Sequence, residues 1–393
     1  MKVLVLAPGT RGDVVPATGL ATAFRADGHE VTIVANAEYE HLVTAAGCTH
    51  APIDAPLTPP AGAPGGVRGY LAVLRTYMDR AATAALAAAP GAGIVLTNAI
   101  SPYGHDIAEA LGVPSVEALL QPSEPSADHP PMIFAGRDLG RVGNRIAGRI
   151  AARVPTPYDP ACARVRAELG LPPESRAAGR RRRRDAGLPV HHGISPAVLP
   201  RPADWPADLT LDGYWWGPDA GGLDAELEAF LDAGPAPVVV ALGSIPAGQD
   251  VVAAALLRSG VRAVVQGMDE VPLDGPDVLR IGEAPHHLLL PRAAAVVHSA
   301  GAGTTAAALR AGVPSVPVPV HTDQPFWGRR LAALGAGTAP LPAKGLRPDA
   351  LAAAIDTART AQHLRSGAAA VAEALRTEDG TRPLRELVNR AAG

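Results

Sequence analysis

The chain has 393 residues, of which 47% are hydrophobic but only 4% aromatic, and a formal net charge of −3. That length exceeds one ordinary core and fits two domains of similar size, built mainly on Ala, Val and Leu. The charge argues against a nucleic-acid binder, and Cys48 and Cys162 supply neither a disulfide framework nor a zinc site. The apolar run at the amino terminus is too short for a signal peptide, and no apolar stretch of about eighteen residues occurs. A cytoplasmic protein without membrane insertion is therefore expected.

In chain order, Val3 to Ala7 reads as a buried strand ending at Pro8-Gly9. Ala17, Leu20, Ala21 and Phe24 then fall at helical spacing, Gly28 closes that helix, and Val31 to Ala35 forms a second apolar strand. This is a βαβ unit, the crossover that a parallel sheet needs. A Tyr70 to Ala88 helix follows, then strand Ile94–Thr97, a helix from His105 to Leu111, and strand Ser115–Leu119. Gln121 to Phe134 is Pro-rich and aperiodic, either a binding loop or a surface insertion. The Arg180–Arg184 run reads as a solvated loop.

Periodicity fades from Ser195 to Gly217, where four prolines punctuate the chain. Leu223, Leu227, Phe230 and Leu231 then make an apolar helix face, and strands are expected at Pro237–Leu242, Arg262–Gln266, Val278–Ile281, Ala294–Val297 and Ser315–Val320. The fold class is α/β, with two Rossmann-like doubly wound domains facing each other across a cleft, a usual place for a ligand. The expected division is 1–200 for the first domain, 201–218 for a linker and 219–375 for the second domain. Residues 376–393 form a C-terminal helix that returns to the first.

A dinucleotide site would show G-x-G-x-x-G after the first strand and an acid at the end of the second. This chain has Gly9-Thr10-Arg11-Gly12-Asp13 and Val34-Ala35-Asn36 instead, and no Walker lysine pattern. The better anion site follows the Ala294–Val297 strand: His298, a loop of small residues through Gly301 and Gly303, and a helix opening at Thr304-Thr305. Such a loop exposes backbone N–H groups, and the helix amino terminus adds about half a positive charge. Ser244, at another strand end, can donate to the same phosphates. The plainer alternative is a tight turn with His298 as a core histidine. Asp323 and Gln324 follow a further strand and can accept from and donate to neighbouring sugar hydroxyls, although Asp323 also suits a helix N-cap ahead of Pro325. A phosphorylated ligand bearing hydroxyls is an activated sugar.

On these residues the chain resembles family 1 glycosyltransferases of the GT-B fold. The likeness is strongest to the actinobacterial branch that decorates antibiotics and other natural products, with its sterol-glucosyltransferase-like relatives. The matching stretches are Gly9–Val14, Pro200–Pro206, Gly213-Tyr214-Trp215, Gly282–His286, His298–Thr305, Ala311–Pro314 and Asp323–Gly328. The resemblance implies an inverting glycosyl transfer from a dTDP- or UDP-sugar, the cosubstrate, to a hydroxyl of a lipophilic aglycone bound by the first domain. No cofactor is expected. No metal is expected either, since no Asp-x-Asp triplet occurs.

By the same resemblance, the diphosphate is held by Ser244, His298, Gly301 and the amides of Gly303, Thr304 and Thr305. The base is read near Ala284 and Pro285, and the sugar by Asp323 and Gln324. Asp13 aligns with the general base, the alternative being a helix cap. Thr10, Arg11, His105, Asp106 and His129 are the other acceptor-side candidates. The helix around Tyr70 to Met78 and the Gln121–Phe134 loop shape the acceptor site. Two departures stand out: Ser299-Ala300 where the family often has His-Gly, and Glu283 where plant relatives place a base-stacking Trp. The expected partners are the nucleotide sugar and the small-molecule aglycone, with no nucleic acid, and the chain is expected as a monomer or homodimer. A sugar-nucleotide epimerase and a noncatalytic auxiliary of the same fold remain as alternatives.

Overall fold

The computed structural model describes residues 1–57, 66–132, 137–219, 221–242, 249–268 and 275–393. The chain folds into two parallel sheets. In the first, β1 (Lys2–Leu6), β2 (Glu30–Asn36), β3 (Thr49–Ile53), β4 (Ala92–Thr97), β5 (Ser115–Leu119), β6 (Val190–His192) and β7 (Leu209–Leu211) lie in the order β3-β2-β1-β4-β5-β6-β7. In the second, β8 (Val238–Ala241), β9 (Ala263–Gln266), β10 (Val278–Ile281), β11 (Ala295–His298) and β12 (Ser315–Pro317) lie in the order β10-β9-β8-β11-β12. Every strand pair is parallel.

The apolar runs explain this arrangement. Val3 and Val5 of β1 pack on one side with Leu20 and Phe24 of the Arg11–Ala26 helix. Leu4 and Leu6 pack on the other with Tyr77 of the Gly66–Ala88 helix and Tyr103 of the Tyr103–Leu111 helix. A strand covered on both faces has no solvent side, so its sequence shows no alternation. The second core repeats the pattern with Val238, Val240, Ala295 and Val297.

Each sheet has one place where successive connections leave in opposite directions: between β1 and β4, and between β8 and β11. Crevices at such switch points, beyond the carboxyl ends of the strands, are where open α/β sheets bind ligands. The loops that follow β1 and β11 lie at these crevices.

One boundary differs from the expected division. Leu209–Leu211, inside the expected linker, pairs with β6 and closes the edge of the first sheet, so that domain extends beyond residue 200. The linker is also not loose. The Gly217 side of Trp216 passes directly over the Arg11–Ala26 helix, and a Cβ on Gly19 would lie 2.2 Å from the Trp216 carbonyl oxygen. At the far end, the Arg382–Ala392 helix packs Leu384 and Val388 into the first core, and Arg385 and Asn389 hydrogen-bond Asp27.

Candidate functional site

The loop after β1 is locked by its own side chains. Thr10 is the N-cap of the Arg11–Ala26 helix, and Gly12 N–H donates to its Oγ1 at 3.2 Å. Thr10 N–H donates to Asp13 Oδ2 at 2.8 Å, and the Thr10 hydroxyl donates to the same oxygen at 3.1 Å. The two residues thus form a capping box. Gly9 makes it geometrically feasible, with φ of +135° and no room for a Cβ, which would sit 2.2 Å from Asp13 Oδ2. The Gly9 N–H donates to the Tyr77 hydroxyl at 2.6 Å, and that hydroxyl donates to Asn36.

Asp13 stays partly accessible. It forms the polar lip of an apolar pocket lined by Leu20, Leu96, Ala118, Leu120 and Trp215. Burial raises its pKa, the two Thr10 hydrogen bonds oppose that, and the carboxylate of Asp323 raises it further. Asp323 belongs to the second domain, so this influence crosses between the domains.

The loop after β11 has the opposite character. His298 ends the strand fully buried. Its Nδ1 accepts the Ala300 N–H at 3.2 Å, which leaves the proton on Nε2, and Nε2 has no partner among the described residues. Burial, then the neighbouring His286, drives the His298 pKa down to about 3, so the ring is neutral. The Ala302–Ala311 helix follows with Gly301 at its N-cap and no capping side chain. The first intrahelical bond runs from Thr305 N–H to the Gly301 carbonyl. The N–H groups of the first turn, Gly303 and Thr304 among them, thus have no carbonyl inside the helix. Here the structure corrects one expectation: the Thr305 amide is spent within the helix. Ala300, where the family often has Gly, adopts φ of +60°. Ser244 lies outside the described residues.

Asp323 occupies the N-cap position of the Gln324–Ala333 helix but does not cap it, against the expectation of a helix cap. Its Oδ2 accepts instead from Gln121 Nε2 at 2.8 Å. Gln121 comes from the loop after β5, and its Oε1 accepts from Trp327 Nε1 at 3.1 Å. No local pattern marked Gln121 individually, because its partners lie over two hundred residues away. Gln324 folds back so that its Oε1 accepts the Val320 and His321 N–H groups, which turns its NH2 outward from that loop. Arg11 and Glu283 close a second bridge between the domains at 2.9 Å, both ends exposed. Pro285 sits at the start of the His286–Leu289 helix, where its carbonyl accepts from Leu288 and Leu289, with Ala284 just before it.

Three acceptor-side candidates are engaged elsewhere. His105 is buried, with Nδ1 on Ser115 at 2.8 Å and Nε2 on Glu117 at 3.3 Å. Burial lowers the His105 pKa. Burial would raise that of Glu117, but its hydrogen bond to His105 and nearby arginines bring it to about 2. Asp106 is buried against Arg166. His129 packs edge-on against Trp205 and Phe326. All three read as packing and pairing groups, because their residue type is visible in sequence and their neighbours are not. The Arg180–Arg184 run is likewise no solvated loop. It lies in the Arg176–Asp185 helix, where Arg180, Arg182, Arg183 and Arg184 reach Glu124, Glu174, Glu109 and Glu117.

Among the described residues no group of three or more His, Cys, Asp or Glu side chains is placed to hold a metal ion. No helix in them is long and apolar enough to cross a membrane.

Comparison with known proteins bears on this geometry. Residues 3–116 match the glycosyltransferase family 28 N-terminal domain, and residues 260–389 match the erythromycin biosynthesis protein CIII-like C-terminal domain. The chain is 34% identical to O-mycaminosyltylonolide 6-deoxyallosyltransferase of Streptomyces fradiae, covering 97% of this chain and 95% of that protein. It is 33% identical to vancomycin aglycone glucosyltransferase of Amycolatopsis orientalis, over 99% and 97%. A sterol 3-beta-glucosyltransferase of Arabidopsis thaliana is 29% identical over 97% of this chain and 64% of its own length. Among solved structures, a glycosyltransferase of Streptomyces sp. SF2575 complexed with thymidine diphosphate superposes with a TM-score of 0.62 at 23% identity, covering 99% of each chain.

Proposed function

Because the chain belongs to the GT-B glycosyltransferases, on the antibiotic and natural-product branch, we propose that it moves a sugar or deoxysugar from a dTDP- or UDP-sugar to a hydroxyl of a lipophilic aglycone. The transfer inverts the anomeric carbon and uses no metal. The observation that carries this reading is the pair of opposed groups at the two switch points. A carboxylate of raised pKa lies on one side, and an uncapped helix amino terminus with a neutral, buried histidine on the other.

Asp13 takes the proton of the acceptor hydroxyl as its oxygen attacks the anomeric carbon. The bond from that carbon to the diphosphate breaks, and the diphosphate leaves with the bonding pair. His298 Nε2–H, the Gly303 and Thr304 amides and the helix dipole stabilise the charge that develops there. Gly301 lets the chain approach without a side chain, and Ser244 adds a donor by family resemblance. Ala284 reads the base through its peptide groups. Asp323 and the outward NH2 of Gln324 hold the sugar hydroxyls. The acceptor lies over the apolar pocket at Asp13, beside Thr10 and Arg11. The relative solved with thymidine diphosphate supports a dTDP-sugar, and the O-mycaminosyltylonolide 6-deoxyallosyltransferase and vancomycin aglycone glucosyltransferase relatives support an aglycone as acceptor.

The test is a panel of dTDP- and UDP-sugars with candidate aglycones, read by mass spectrometry with and without a chelator. The reading expects a glycosylated aglycone and free nucleotide diphosphate only when acceptor is present, with no loss on chelation. Conversion of the donor alone would mark an epimerase and sink it.

A further inference from the structure

The Gly140–Ala151 helix carries a second surface. Leu139, Val142, Ile146, Ile150 and Val154 recur at spacings of three and four, which places them along one side of the helix and its continuation. That side faces outward: Val142 is 73% exposed, Ile146 52% and Ile150 54%. The opposite side holds the helix in place. Asn144 and Ala147 are buried, and Gly148 sits against Pro125, where a Cβ would lie 2.9 Å from the Pro125 Cα. Asn144 also ties the helix to Leu139, Ala127 and Asp138. An anchored helix that turns its apolar stripe to solvent has not simply frayed from the core.

Arginines run beside the stripe at four-residue spacing: Arg141, Arg145, Arg149 and Arg153. Arg141 and Arg145 pair with Asp128 and Asp204. Among the described residues Arg149 and Arg153 meet no carboxylate, Arg153 reaching only the Arg149 carbonyl. Residues 140–155 contain no acid at all. The contrast with the Arg176–Asp185 helix is direct, since four of its five consecutive arginines lie within 4 Å of a glutamate carboxylate.

We propose that the Gly140–Ala151 helix seats the protein shallowly on an anionic lipid surface. Its apolar side chains enter the boundary between headgroups and acyl chains, and its arginines extend to the phosphates. Charge selects this occupant. A second copy docked about a two-fold axis with the helices antiparallel would set one arginine row against another, an arrangement of like charges. A lipid surface satisfies the apolar stripe and the unpaired guanidinium groups together.

Vesicle cosedimentation of the full chain tests this, with phosphatidylcholine alone and with phosphatidylcholine containing phosphatidylglycerol. The wild type is expected to sediment with the anionic vesicles, less so as salt rises, and little with the neutral ones. Ile146→Glu with Ile150→Glu, and separately Arg149→Gln with Arg153→Gln, should each weaken that partition by at least about tenfold. Both pairs are exposed, so thermal unfolding should match the wild type. No sedimentation with anionic vesicles would overturn the proposal, as would equal binding to neutral ones or binding that survives both variants. A dimer that Ile146→Glu with Ile150→Glu dissolves would assign the face to a second copy instead, and would overturn it too.

Discussion

The strands β1 and β11 each border the switch point of their sheet, on opposite sides of it in strand order, and each is followed by a short loop and a helix. The helix after β1 begins with a capping box, Thr10 and Asp13 satisfying its first turn with an anion that the chain itself supplies. The helix after β11 begins at Gly301 with no capping side chain, beneath a histidine whose Nε2 has no partner among the described residues. One loop is already neutralised and therefore suited to proton transfer. The other keeps its positive end open and suits a diphosphate. Two loops at switch points thus present different helix starts, and the difference rests on which residues follow the turn.

Several substitutions break or sharpen that contrast. The largest effect is expected from Asp13→Asn, which keeps a capping oxygen but cannot take a proton. Turnover should fall by about a hundredfold or more while the KM for the donor stays near the wild-type value. Steady-state kinetics at saturating acceptor would show it, and unchanged turnover would remove Asp13 from the mechanism. A smaller effect concerns pH. Burial and Asp323 raise the Asp13 pKa, and a base acts when ionised, so activity should be lost as pH falls through a value above that of an ordinary aspartate. Asp323→Asn removes one of the raising influences, so the acid limb of kcat should move to lower pH. A limb that stays in place would separate the two carboxylates.

The smallest effect is expected at Ala300. A left-handed residue with a Cβ costs about 1 kcal/mol or somewhat more, and the buried methyl returns about 0.8 kcal/mol. Ala300→Gly should therefore leave thermal unfolding almost unchanged. A loss of more than about 2 kcal/mol would mean that packing around the methyl dominates.

How much of this was readable in the sequence depends on the residue. The central strands were legible because burial on both faces writes them as unbroken apolar runs, as at Val3–Leu6 and Ala295–Val297. The edge strands of the first sheet were not. Thr49-His50-Ala51-Pro52-Ile53 reads as loop, with a proline that only an edge tolerates, and Leu209–Leu211 hides among turn residues. The His298–Thr305 loop was visible from composition alone. Its exact offer was not, because whether the Thr305 amide is free depends on where the helix begins. His105 and Asp106 were chosen for their chemistry, and buried partners on other elements, Glu117 and Arg166, decide their role. Gln121 illustrates the opposite failure: its residue type is ordinary, and only folding brings Asp323 and Trp327 to it.

The division of labour between the two loops is tested most directly by calorimetric titration of thymidine diphosphate into two variants. Gly301→Asp would place a carboxylate at the open N-cap, in a backbone conformation with φ of −62° and with nothing within 4 Å of the new Cβ. Helix capping should then stabilise the fold by a few tenths of a kcal/mol, roughly. The account predicts that this variant loses nucleotide affinity by more than about tenfold, while Asp13→Asn binds as the wild type does. Equal affinity in the two variants, or a loss confined to Asp13→Asn, would contradict it.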